Sequence, residues 1–151
     1  MSEDSTFTLD LLPGQIHGND LIEISQIISE QNLKLTGYSI TCTNQNTLLG
    51  GLYIESQELV NVGHLMDNNS SLNSLTLETT DNTTQTFVSD CYKIWKLSRD
   101  LDHSFYVRCY YKNATGVFIP ITATNFADIR VRIIFVLQTV WFAQNNNIFT
   151  K

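Results

Sequence analysis

Charge is scarce in this sequence. Only 16% of the 151 residues are Asp, Glu, Lys or Arg, against roughly 25% in an average soluble domain. That scarcity excludes a disordered polyampholyte and a coiled coil, which needs charged flanking positions. Basic residues are especially few at the start: Lys34 is the one base among the first 90 residues. No Lys/Arg run occurs anywhere, so there is no strong nucleic-acid signal. Long apolar runs are missing too. Ile133-Ile134-Phe135-Val136-Leu137 stops at Gln138 and Thr139, far short of a membrane span. The three cysteines, Cys42, Cys91 and Cys109, form no CxxC pair, and their odd number slightly favours a reducing interior. The start, Met1-Ser2-Glu3-Asp4-Ser5, is acidic and lacks the basic-then-apolar pattern of a secretory leader.

Neutral polar residues fill the space that charge leaves. Seventeen Thr, 14 Asn, 12 Ser and 8 Gln make up a third of the chain, while 42% is hydrophobic. That apolar fraction can build a core, and the length suits one domain. The net charge of −6 hides a split. Residues 1–90 carry 12 acids and one base, and residues 91–151 carry 8 bases and 3 acids. Halves of opposite sign can pair within one fold or meet between subunits.

Period-two alternation dominates the chain. Phe7, Leu9 and Leu11 alternate with Thr6, Thr8 and Asp10, as in a half-buried strand. Leu21, Ile24, Ile27 and Ile28 recur at helical spacing, and Asp20 with Glu23 resembles a capping box, which predicts a short helix within 20–31. From residue 33 onward the pattern is β. Runs over 33–43, 48–54, 58–65 and 72–80 are followed by the longest strand candidate, 84–97. Phe105, Val107, Cys109 and Tyr111 then alternate with Tyr106, Arg108 and Tyr110. A hairpin-sized connection leads to a return strand carrying Val117, Ile119 and Ile121, where Pro120 argues for an edge. The last strand starts at Ile129. Eight to nine strands, about 10 to 15 residues apart, predict an all-β, antiparallel, jelly-roll-like sandwich with one short N-terminal helix. Residues 1–5 read as an N-terminal tail, 6–143 as the sandwich, and 144–151 as a C-terminal tail.

No chemical motif stands out. His17, His64 and His103 lie in neither HExxH nor a close pair. GxSxG is absent, and Gly50-Gly51 is not followed by Lys-Ser/Thr. Each cysteine sits in a strand-like run, where a thiol packs. The expectation is therefore no catalytic residue, no metal and no cofactor. Aromatic residues crowd the last 60 positions. Tyr92, Trp95, Tyr106, Tyr110 and Trp141 are the candidates for a ligand-binding face that stacks sugars, or for a subunit contact. Ile148 and Phe149 follow an Asn-rich linker and are candidates to dock on a neighbouring subunit.

A low-charge, aromatic-rich sandwich with no catalytic cluster solves its solubility problem by burying surface in an oligomer. The first expectation is a non-enzymatic structural or interaction protein that self-assembles into a homo-oligomer. Its most concrete version is a viral capsid or virion-surface component, found in the virion or the host cytoplasm and contacting other virion proteins or a glycan. The placement rests on analogy with the fold class. A carbohydrate-binding module using the aromatic face is the second reading, and a small cupin-like metal enzyme using the histidines is the third.

Overall fold

A computed structural model describes residues 3–16, 21–25, 27, 30–43, 51–60, 64–65, 71–81, 83–139 and 149–150. Eleven strands follow one another: β1 (Glu3–Leu11), β2 (Ile22–Ile24), β3 (Gln31–Thr43), β4 (Leu52–Val60), β5 (His64–Leu65), β6 (Ser71–Thr80), β7 (Thr84–Leu97), β8 (His103–Lys112), β9 (Phe118–Pro120), β10 (Arg130–Thr139) and β11 (Phe149–Thr150). The predicted helix is not found among the described residues of 20–31. Ile22–Ile24 is instead a strand, with Ile22 and Ile24 buried and Glu23 exposed. Isoleucines in this segment satisfy both periods. Antiparallel pairing of Ile22 with Phe105 and Ile24 with His103 decides for the strand. The one helical turn described is a 3-10 turn over Pro13–Gln15.

The pairing order explains the fold. Taken in chain order, the eight main strands are β1, β2, β3, β4, β6, β7, β8 and β10. The first pairs with the last, β1 with β10. Moving inward, β2 pairs with β8, β3 with β7 and β4 with β6. The chain is thus one long hairpin rolled on itself. Rolling adds the ladders β10–β3 and β4–β8. The result is two sheets, β1-β10-β3-β7 and β6-β4-β8-β2, in the strand order of a jelly roll. Strand β6 joins them: Ser71–Leu75 pair with β4 and Thr76–Thr80 with β7. Both predicted tails contain paired residues. Glu3, Asp4 and Ser5 lie in β1 opposite Thr139, Gln138 and Leu137, and Phe149 in β11 lies opposite Ile24 of the same chain.

The core lies between the sheets. Trp95 and Phe135 from the first sheet meet Phe105 from the second, with ring centroids 5.5–6.3 Å apart. Phe7 stacks on Phe135 at 5.5 Å. Leu33, Leu35, Ile40, Leu52, Ile54 and Ile133 complete a closed apolar layer. Gly37 sits where β3 breaks register with both neighbours. An added Cβ there would stand 3.2 Å from the Ser89 carbonyl, so the bulge needs glycine's close approach.

This topology also settles where the split charge goes. Two of the long ladders, β1–β10 and β4–β8, join an acid-bearing early strand to a base-carrying late one. Asp10 meets Arg132 across β1–β10 at 2.8 Å, and Glu55 meets Arg108 across β4–β8 at 3.9 Å. Glu58 meets His103 across β4–β8 at 3.0 Å. Opposite halves of the sequence pair inside one chain.

Candidate functional site

Alternation along β8 sends Phe105, Val107 and Cys109 into the core and Tyr106, Arg108 and Tyr110 outward. Its neighbour β4 does the same. Across the ladder, Tyr53 lies opposite Tyr110, Glu55 opposite Arg108 and Gln57 opposite Tyr106. On the other side of β8, two short strands share the edge. Strand β2 covers its His103 end and β9 its Lys112 end, where Phe118 lies opposite Lys112 and Pro120 opposite Tyr110. Gly116, at φ +86°, makes the tight return from β8 to β9.

These residues form one interlocked outer face. The Phe118 ring stands edge-on to Tyr53 at 4.9 Å and to Tyr110 at 6.1 Å. The Arg108 guanidinium lies 4.5 Å above the Tyr106 ring. The Lys112 ammonium sits 5.1 Å over Phe118 and 5.7 Å over Tyr53, with no carboxylate within 4 Å among the described residues. Tyr106 donates its hydroxyl to Gln57 Oε1, and Tyr110 donates to Glu55 Oε1 at 3.4 Å. Partial burial, then the negative charge of Glu55, raise the Tyr110 phenol above its ordinary value, with Arg108 acting in the opposite sense. Tyr110 therefore stays a neutral donor. Four half-exposed rings, two cations and one carboxylate suit contact by stacking and charge-assisted hydrogen bonds.

The sequence candidates scatter around this face. Tyr106 and Tyr110 lie on it together. Tyr92 is 76% exposed but belongs to β7 in the other sheet. Trp95 is buried at 1% exposure, because the inward set of β7 includes it, so its indole packs on Phe105 and Phe135 and offers no surface to a ligand. Phe149 pairs through its backbone with β2 of its own chain. Trp141 and Ile148 lie outside the described residues. Tyr53, Phe118, Arg108 and Lys112 were missed as site residues. Their membership depends on which residues stand opposite one another across strands, and register is weakly written in sequence.

A second, inward-facing polar cluster sits in the same sheet. His103 and Glu58 are both almost fully buried. The Ser98 backbone N–H donates to His103 Nε2 at 3.0 Å. A backbone N–H can only donate, so Nε2 is the bare nitrogen and the ring proton sits on Nδ1, facing Glu58 Oε2 at 3.0 Å. Both imidazole nitrogens are committed, which leaves His103 no lone pair for a metal. His17 lies outside the described residues. His64 lies in β5, opposite Val60. No group of three metal-ligating side chains occurs among the described residues. Nearby, the Tyr38 hydroxyl lies 2.9 Å from Ser56 Oγ and 4.0 Å from the Cys91 thiol. Burial holds the Tyr38 and Cys109 protons in place well above their ordinary range. It pushes Cys42 up to about 11, with Asp128 adding to the shift. All three cysteines are free thiols. These groups hold the core and present no activated nucleophile.

No family model matches the chain, and no curated protein matches it. A solved structure that aligns with it is that of infectious bursal disease virus, Gx strain. The alignment covers 91% of this chain and 40% of that one, with 11% identity and a TM-score of 0.20. The chain thus spans two fifths of that protein's length, and a likeness of this size assigns no shared fold.

Proposed function

We propose that this chain is a non-enzymatic structural protein that self-assembles through the outer face of its β6-β4-β8-β2 sheet. The observation that supports this is the interlocked cluster of Tyr53, Tyr106, Tyr110 and Phe118 beneath Arg108 and Lys112. Tyr and Arg are the residues that most enrich the energetic centres of protein contacts. Here they are pre-ordered by their neighbours, which lowers the entropy lost on association. Cations already lie on the Tyr106 and Phe118 rings, and this favours a protein contact over sugar stacking. A viral capsid or virion-surface component, in the virion or in the host cytoplasm during assembly, is the most concrete form of the reading. It draws on the use of jelly rolls in capsids and is analogy by fold.

Light scattering over a concentration series tests the proposal. The expected mass exceeds the 17.2 kDa of one chain and rises with concentration. The Tyr110→Ala/Phe118→Ala variant is expected to move that rise to at least tenfold higher concentration. A wild-type protein that stays monomeric at the highest attainable concentration would overturn the proposal. Binding of a neutral oligosaccharide by that monomer would shift the face to glycan recognition.

A further inference from the structure

The same outer face is polarised from end to end. At the Lys112 end of β8 it is aromatic and basic. Phe118 is 41% exposed there, and the Lys112 ammonium rides above its ring. At the His103 end it is concave and acidic. A depression of about 410 Å³ is lined by Leu21, Glu23, Ile24, Asp102, His103 and Ser104. Its two carboxylates, Glu23 and Asp102, belong to exposed residues, and Ile24 and His103 form a buried floor. From Ser104 to Lys112 the strand runs eight residues, roughly 26 Å at about 3.3 Å per residue.

We infer that the face is an isologous contact, in which Lys112 of each copy enters the Glu23/Asp102 depression of a second copy of this chain. A two-fold axis perpendicular to β8, passing between Tyr106 and Arg108, turns the face onto itself. It reverses the strand direction and so brings each basic end over an acidic one. Arg108 then stands over Tyr106 of the partner subunit, and Tyr110 over Ser104 of the partner subunit. Like charges are not opposed along β8 in this register. Both contacts form at once because both ends lie on one face of one sheet, so the assembly closes as a dimer. Among the described residues Lys112 has rings but no carboxylate beside it, and the second copy supplies one. This inference rests on the self-assembly proposed above and adds the geometry of the contact.

The test is a charge exchange read by sedimentation equilibrium and light scattering. Lys112→Glu alone and Glu23→Lys alone are each expected to weaken dimerisation at least tenfold. The double variant Glu23→Lys/Lys112→Glu is expected to regain association to within about threefold of wild type. All three variants alter exposed or half-exposed side chains, and circular dichroism confirms that they fold. Association of the wild type should weaken as salt is raised from 50 to 500 mM. If the wild type associates but Lys112→Glu does so equally well, this geometry falls and self-assembly stands. Loss of association in both single variants with no recovery in the double also overturns the pairing. A monomeric wild type would remove both proposals together.

Discussion

The two sheets use the same ingredients in opposite ways. Each carries a cross-strand pair of an acid with a basic side chain, and an outward aromatic. In the β1-β10-β3-β7 sheet, Asp10 and Arg132 meet with more than half of each side chain in water, and Tyr92 projects from β7 with three quarters of its surface exposed. In the β6-β4-β8-β2 sheet, Glu58 and His103 meet with 1% of each side chain exposed. Tyr106 and Tyr110 are wedged among Gln57, Glu55, Arg108 and Phe118. Strand position accounts for much of the difference. Strand β8 is flanked by β4 on one side and by β2 and β9 on the other, so its side chains find neighbours. Tyr92 projects from a stretch of β7 that β6 has already left for the other sheet. A cross-strand pair or an aromatic residue acquires a role from what surrounds it, and only the second sheet surrounds its own.

The sharpest way to break both sheets at once is to remove the ring they share. Trp95→Ala opens a cavity against Phe105 and Phe135, and should cost about 3–5 kcal/mol in chemical denaturation. Tyr92→Ala, three residues earlier on the same strand, should change stability by less than about 0.5 kcal/mol. Trp95→Phe keeps most of the packing and removes an indole N–H that has no hydrogen-bond partner among the described residues. It should cost far less than the alanine. Equal losses for Trp95→Ala and Tyr92→Ala would refute the placement of the core.

The two acid–base pairs supply the next contrast. His103→Leu withdraws a hydrogen bond from the buried Glu58 carboxylate and from the Ser98 N–H, at a cost of about 2–3 kcal/mol. The double variant His103→Leu/Glu58→Leu should recover part of that loss, because no buried charge is then left behind. Asp10→Asn should leave the unfolding midpoint unchanged within error, since water already solvates both partners. A large loss from Asp10→Asn, or none from His103→Leu, would reverse the ranking of the sheets.

How far the sequence anticipates this architecture depends on what each feature requires. Strand β7 is read within its true limits, 84–97, because alternation over fourteen residues is a local signal. Jelly-roll arithmetic follows from counting such strands. The helix expected near Ile22 fails because a three-residue strand has too few positions to show a period, and its partner β8 lies about 80 residues away. For the same reason Tyr106 and Tyr110 are legible as one side of one strand, while Tyr53 and Phe118 are not. Their place is set by ladders to β8 and by packing among rings. Trp95 misleads because alternation sorts β7 into two sets without saying which faces inward. The Glu58–His103 pair spans 45 residues and leaves no local trace. The charge split, by contrast, is plainly visible, and the rolled hairpin gives it a physical use.

The smallest expected effect compares thiols between the sheets and concerns pH. Cys42, in β3 of the first sheet, is buried, and its proton is held from an ordinary 9.0 up to about 11. Cys109, in β8 of the second, is shifted upward further by complete burial. A raised folded value means that the folded state holds the proton more tightly than the unfolded state. The corresponding stability is fully present below about pH 9 and is lost as pH rises through the range from 9 to about 11 for Cys42. Denaturation midpoints should therefore fall across that range, and Cys42→Val should flatten the fall while leaving pH 7 stability nearly unchanged. Native thiol titration at pH 8 should show Cys91, the half-buried thiol, reacting first, with Cys42 and Cys109 released on unfolding. If all three react together in the native protein, burial does not hold the two inner thiols. The expected alkaline loss would then disappear for both sheets.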